Sequence, residues 1–207
     1  MYTARILAGG SRMSGFRVKI FIATCLAFWS IMVFHPDPIA AKTKTAADPA
    51  SCIAKPLVNK EYFPALLQAV DDAKEEICIA VFSFKAGIHP KSYPDVLVEH
   101  LGKAVRRGVP VWVLLETSAN REDSLTKQNL KTKQLLEEKG VKVYLDSPRK
   151  TTHTKLVIID RRLLFIGSHN FTSSAFRHNN EISIFMDRPD LAQKVRDYIL
   201  TLIKEAQ

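Results

Sequence analysis

From residue 62 onward, apolar and polar positions alternate between two periods. Over residues 62–76 the apolar side chains fall at Phe63, Leu66, Leu67, Val70 and Ala73, the three-and-four spacing of one helix face. Residues 77–84 are an apolar run of strand length and predict a buried strand. A second helix is expected over 93–108, with Pro94 near its start and Gly108 just past its end. Residues 109–116 read as a second buried strand, 123–140 as a polar-faced helix stopped by Gly140, and 141–145 as a third strand. Two further strand-length runs, 153–160 and 163–168, are separated by a short turn around Arg161 and Arg162. A strand over 181–186 and an amphipathic helix over 189–206 close the chain. This alternation predicts an α/β fold, a mixed and largely parallel β-sheet flanked by helices on both faces.

The N-terminus follows another pattern. Arg17 and Lys19 precede an uncharged apolar run over residues 20–34, followed by a segment rich in Pro, Ala and Lys. A basic segment, a short apolar segment and small residues after it predict a secretory signal over residues 1–41, cut after Ala41 or Ala47. The alternative is an uncleaved membrane anchor over residues 20–34. Residues 42–58 are then expected to be a linker and 59–207 the folded domain. The protein is expected to be exported, periplasmic or secreted, with membrane contact only through an uncleaved N-terminal segment. In an oxidising compartment Cys52 and Cys78 could pair, while the apolar surroundings of Cys78 equally suit a buried free thiol.

The formal net charge is +9. Residues 1–41 contain four basic residues (Arg5, Arg12, Arg17, Lys19) and one acid (Asp37), so the remainder keeps 26 basic and 20 acidic residues, net +6. The signal segment therefore does not account for the basicity, and an anionic partner, nucleic acid or anionic lipid, is expected.

Chemistry concentrates in residues 152–181, THTKLVIIDRRLLFIGSHNFTSSAFRHNNE. On an extended strand His153 and Lys155 point the same way. An imidazole beside an ammonium is unfavourable unless an anion sits between them, and a phosphate fits. Ser168 and Asn170, also two apart, offer neutral donors to the same oxygens. Gly167 permits close backbone approach at a strand end. His153 is the candidate nucleophile, because imidazole is both unprotonated and nucleophilic near neutral pH. Glu181 is placed to accept from the imidazole and hold its tautomer. Asp160 caps the turn or braces the strand ends. Arg149 and Lys150 lead into His153 and are expected to form a rim that guides a phosphate backbone. His169 and His178 read as packing or surface histidines. No His, Cys or carboxylate cluster has metal-ligand spacing, so no metal or other cofactor is expected.

The spacing His153-x-Lys155-x4-Asp160-x6-Gly167-Ser168-x-Asn170 defines six positions. At average residue frequencies a chance match in such a chain is on the order of a few in a million. It resembles the HKD motif of the phospholipase D superfamily, and the layout from Tyr62 onward resembles its small, single-motif bacterial endonucleases. Thr154 departs from the Asn common between the His and the Lys. The resemblance implies an α/β sandwich and a metal-independent phosphodiesterase working through a phosphohistidine. In these terms His153 is the nucleophile, Lys155, Ser168 and Asn170 hold the phosphate, and Glu181 partners the histidine. Asp160 is structural.

One motif supplies one imidazole, yet the reaction needs a nucleophile and a proton donor. A two-fold homodimer would bring two copies of the motif to one phosphate. Two function classes follow: an endonuclease acting on DNA, with RNA as second candidate, and a phospholipase D acting on lipid head groups. The absence of an amphipathic interfacial segment beyond the signal favours the nuclease.

Overall fold

A computed structural model describes residues 53–207. In chain order the elements are β1 (Ile53–Val58), α1 (Tyr62–Asp72), β2 (Ile77–Val81), α2 (Tyr93–Arg106), β3 (Val111–Leu115), α3 (Ser124–Glu138), β4 (Lys142–Leu145), β5 (Lys155–Ile159), β6 (Leu163–Gly167), α4 (Ser173–Arg177), β7 (Ile182–Asp187) and α5 (Pro189–Glu205). They form a seven-stranded sheet in the order β1-β7-β6-β5-β2-β3-β4. The sheet is mixed with helices on both faces, as the alternation implied. Parallel pairing is confined to β2, β3 and β4; the other four of the six strand pairs are antiparallel. The parallel share is thus smaller than expected, because helical crossovers link only the first strands while β5 and β6 form a hairpin.

The linker expected over 42–58 is corrected at its end. Ile53–Val58 is an edge strand antiparallel to β7, from Ile53 opposite Asp187 to Val58 opposite Ile182. Only Leu57 of the six is buried, and Pro56 is tolerated because an edge strand leaves one side unpaired. Its apolar residues, Ile53, Ala54, Leu57 and Val58, come in pairs around Lys55 and Pro56, so the segment shows neither a continuous apolar run nor a strand alternation. The signal segment, the apolar run over 20–34 and Cys52 lie outside the described residues. Cys78 is a free buried thiol in β2, and burial, with the nearby Glu76 charge, pushes it up to about 12. Among the described residues no helix is long and apolar enough to cross a membrane.

The core has two layers, one on each sheet face. Val81, Val113, Val157 and Phe165 meet α1, α2 and α3 through Leu66, Val70, Leu97, Leu101 and Leu136. On the opposite face Ala80, Leu114, Leu156, Ile158 and Leu164 meet α5 through Ala192, Ile199, Leu202 and Ile203. Consecutive residues of one strand serve different layers, so one residue of slip would invert both.

Candidate active site

The β5–β6 hairpin turns through Asp160 and Arg161, both at positive φ (54° and 53°). Asp160, Arg161 and Arg162 separate the paired ends Ile159 and Leu163, and the Arg162 N–H closes the turn onto the Ile159 carbonyl at 3.1 Å. The Asp160 carboxylate accepts from the backbone N–H groups of Lys74, Glu75 (2.7 Å) and Glu76 (3.1 Å), and the Asp160 N–H donates to the Glu76 carbonyl. Asp160 therefore ties the hairpin to the α1–β2 connection, far from the phosphate ligands. This sets β5 against β2 with Lys155 opposite Val81.

Lys155 opens β5 and His153 lies just ahead of the strand. Regular pairing runs one step further, since Phe82 N–H donates to the Thr154 carbonyl at 2.9 Å. Both side chains gather on Phe82. The His153 ring meets it edge-on at 4.5 Å between centroids, and Lys155 Nζ lies 5.1 Å from the same centroid. Lys155 is only 7% exposed, and Nζ donates to the His153 carbonyl at 3.0 Å. Burial lowers its pKa, with the Glu181 carboxylate partly opposing. An ammonium so placed gains from an anion, which offsets the desolvation.

Ser168 and Glu181 come together at the ends of β6 and β7. The Ser168 hydroxyl donates to Glu181 Oε2, and Asn179 Nδ2 donates to Glu181 Oε1 at 3.0 Å. The expected bond from His153 to Glu181 is not formed within one chain; Ser168 and Asn179 occupy that carboxylate instead. A Cβ at Gly167 would lie 2.4 Å from the Ser183 Cα, so only glycine lets β6 approach β7 this closely. His169 is fully buried, stacked on Tyr62 with centroids 4.2 Å apart. Its Nε2 bonds the Asn59 carbonyl at 3.0 Å and its Nδ1 bonds the Ser183 hydroxyl at 2.8 Å. The carbonyl can only accept, so Nε2 carries the proton and Nδ1 accepts. Between the fixed residues Ser168 and His169 on one side and Phe171 on the other, Asn170 is half-buried beside Phe82 and Ser83.

Several supporting residues escaped the sequence reading. Asn129 of α3 is fully buried. Its Oδ1 accepts from Phe84 N–H at 3.0 Å, and its Nδ2 donates to the carbonyls of Phe82 and Glu116, both at 2.9 Å. One turn on, the Thr132 hydroxyl accepts from Ala86 N–H and donates to the Phe84 carbonyl. These residues hold the segment after β2, and so the Phe82 ring. Buried Glu116 accepts from Thr152 N–H at 2.6 Å, which secures the approach to His153. Burial raises its pKa, partly offset by that N–H, and the Asp146 charge adds to the rise. The only signal for the clamp was the three-residue spacing of Thr126, Asn129 and Thr132, which on a polar-faced helix reads as a solvated stripe.

Two grooves reach these residues. One of about 550 Å³ is lined by His153, Lys155, Leu156, Ile166, Val195 and Tyr198. Tyr198 also lines a neighbouring hollow of about 350 Å³ that holds the exposed Arg149 and Lys150; neither cation lines the His153 cleft itself. A groove of about 720 Å³ begins on the other side, at Phe82 and Asn170.

Residues 66–203 match the family described as "Cardiolipin synthase, PLD-like domain". A phospholipase D of Rickettsia felis is 26% identical over 155 residues, covering 75% of this chain and 66% of the relative. The chain spans between about half and two thirds of the length of the curated relatives it matches. Among solved structures it is similar to Nuc of Salmonella typhimurium, a phospholipase D family member (21% identity, TM-score 0.63, covering 75% of this chain and 97% of Nuc). It is also similar to NucT of Helicobacter pylori (19% identity, TM-score 0.59, covering 74% and 97%). These structural likenesses establish the fold. With the family match extending across more than half of its length, from α1 into the last turns of α5, the chain belongs to the phospholipase D-like family.

Proposed function

We propose that this protein is an exported phosphodiesterase that cuts nucleic acid, DNA first and RNA second, with little sequence preference, through a phosphohistidine at a site shared by two copies. The observation that carries this reading is the His153 imidazole and the buried Lys155 ammonium gathered on one Phe82 ring. In the first step a neutral His153 nitrogen attacks phosphorus. The N–P bond forms, the P–O bond to the leaving group breaks, and a second, protonated imidazole gives its proton to the departing oxygen. Water then attacks the phosphohistidine, the second imidazole takes its proton, and the phosphate monoester leaves as His153 is restored. Lys155, Ser168 and Asn170 stabilise the charge on the non-bridging oxygens. No step calls for a metal.

The second imidazole comes from a second copy. The sheet face carrying Leu164 is covered by α5 only in part. Beyond it lies an apolar band of Val58 (44% exposed), Ile182 (55%) and Ile166 (38%) on neighbouring strands, and Ile166 walls the His153 cleft. A second copy seated on this band would bring its own His153 to the cleft by two-fold symmetry. Glu181 is then available to the imidazole of the other copy rather than its own.

The alternative is a phospholipase D. The apolar walls of the His153 cleft, Leu156, Ile166 and Val195, favour it, as does the name of the Rickettsia relatives. Incubating the purified chain in EDTA with plasmid DNA and with phosphatidylcholine vesicles separates the two. Plasmid cleavage with intact lipid is the expected result. Choline release with intact plasmid would replace the nuclease by the phospholipase, and DNA cleavage that needs added divalent ion would overturn the histidine mechanism.

A further inference from the structure

We propose that the groove beginning at Asn170 is a nucleoside subsite, which takes the sugar and base next to the scissile phosphate of an unpaired strand. The inference rests on the nuclease reading above and names the part of the substrate that this face grips.

Four segments build the groove: residues 82–85 after β2, 88–92 leading into α2, 123–125 at the start of α3 and 170–174 leading into α4. At about 720 Å³ it has the size of a site for a nucleotide-sized ligand. It is also preformed. Phe171 N–H donates to the Ser83 carbonyl and Lys85 N–H to the Phe171 carbonyl, both at 2.9 Å, while Asn129 and Thr132 pin the same segment to α3. The groove is continuous with the chemistry, because Phe82 packs against His153 on one side and lines the groove on the other.

Its lining selects the occupant. The Ser83 side chain is 4% exposed, and its hydroxyl has no hydrogen-bond partner; neither has Asn170 Oδ1. Lys85 adds an exposed ammonium, and Asp123 a carboxylate of which Oδ2 caps α3 through Thr126. Hydroxyls with one cation, one anion, the His89 ring and the exposed apolar Ile88 match a nucleoside, whose sugar and base edge carry donors and acceptors together and whose base has an apolar face. An acyl chain would leave these groups unpaired. A base stacked in a duplex cannot turn its edge into a concave site, whereas an unpaired base can.

The test measures kcat and KM of the full chain in EDTA. Substrates are a short single-stranded oligonucleotide, the same sequence as a duplex, and bis(p-nitrophenyl) phosphate, a diester with neither sugar nor base. The quantity read is the ratio of kcat/KM for the single strand to that for the small diester. It is expected to fall about tenfold or more in Lys85→Glu and in Ser83→Val, through KM, and the wild type should cut the duplex more slowly than the single strand. Lys85 is exposed, so its variant tests the proposal even if Ser83→Val fails to fold. An unchanged ratio, or equal losses on both substrates, overturns the subsite while leaving the nuclease intact. A wild type that cuts neither DNA form but hydrolyses lipid overturns the nuclease reading and the subsite with it.

Discussion

Lys155 donates from its ammonium to the backbone carbonyl of His153, 3.0 Å away, so the charge that would hold a phosphate is tied to the residue that would attack it. Removing either residue should end turnover for a different reason. His153→Ala abolishes the covalent adduct. Lys155→Ala keeps the nucleophile but loses a preorganised cation, and kcat should drop by about two to three orders of magnitude. Rapid-quench trapping followed by peptide mapping should find phosphate on His153 in the wild type and on no residue in His153→Ala. An adduct elsewhere would reassign the nucleophile.

A shared site has a stoichiometric signature. Co-expressed, differently tagged wild-type and His153→Ala chains, purified through both tags, should form a heterodimer with well under a tenth of wild-type activity, since removing a general acid or nucleophile costs about a hundredfold or more. Half-activity would mean that each chain has a self-sufficient site. An active monomer in sedimentation would end the dimer model.

Asn129 bridges three backbone groups from beneath the site. Asn129→Ala leaves Phe84 N–H and the carbonyls of Phe82 and Glu116 without this partner in a buried setting. Each stranded group costs about 1–3 kcal/mol, and local relaxation recovers part of the sum, so about 2–4 kcal/mol of stability should be lost in urea titrations. Activity should fall at temperatures where the variant is still folded, because Phe82 loses its support. A loss below 1 kcal/mol would show that the clamp contributes little.

His169 predicts a pH effect on stability rather than on chemistry. Burial lowers its pKa below the ordinary 6.5, with the Asn59 hydrogen bond and the Glu181 charge partly opposing. Between the lowered folded value and 6.5 the unfolded chain binds more protons, so stability rises with pH there and is lost as pH falls below 6.5. The urea midpoint should decrease from pH 7 to pH 5, and His169→Gln should flatten that dependence. An equal slope in the variant would assign the effect to other groups.

The sequence alone was sufficient for what depends on local spacing. The β5–β6 hairpin and the alternation that puts His153 and Lys155 on one side follow the two-residue period of a strand, so a side chain's face follows from counting residues, and the six-position motif is legible as fixed spacings along the chain. The structural part of Asp160, as a cap of the turn or a brace of the strand ends, followed from its place at the turn and again from the family resemblance, although the three N–H groups whose bonds it accepts, in the α1–β2 connection, were not visible. β1 and the short α4 were missed. β1 buries a single side chain in six, and α4 is a five-residue helix between polar segments.

Tertiary structure alone decided which distant residues meet. Phe82 looked like one more apolar residue at the end of a strand, yet β2 lies beside β5, and that adjacency makes it the surface on which His153 and Lys155 gather. Thr126, Asn129 and Thr132 looked like a solvated stripe, but the helix crosses the open ends of β2 and β3, where unpaired backbone groups need partners more than water does. Glu181 was matched to His153 by the family pattern and is bonded to Ser168 instead, because β6 and β7 are neighbours and their ends meet first. Residue order encodes the face a side chain takes; only the order of strands in the sheet determines what that face meets.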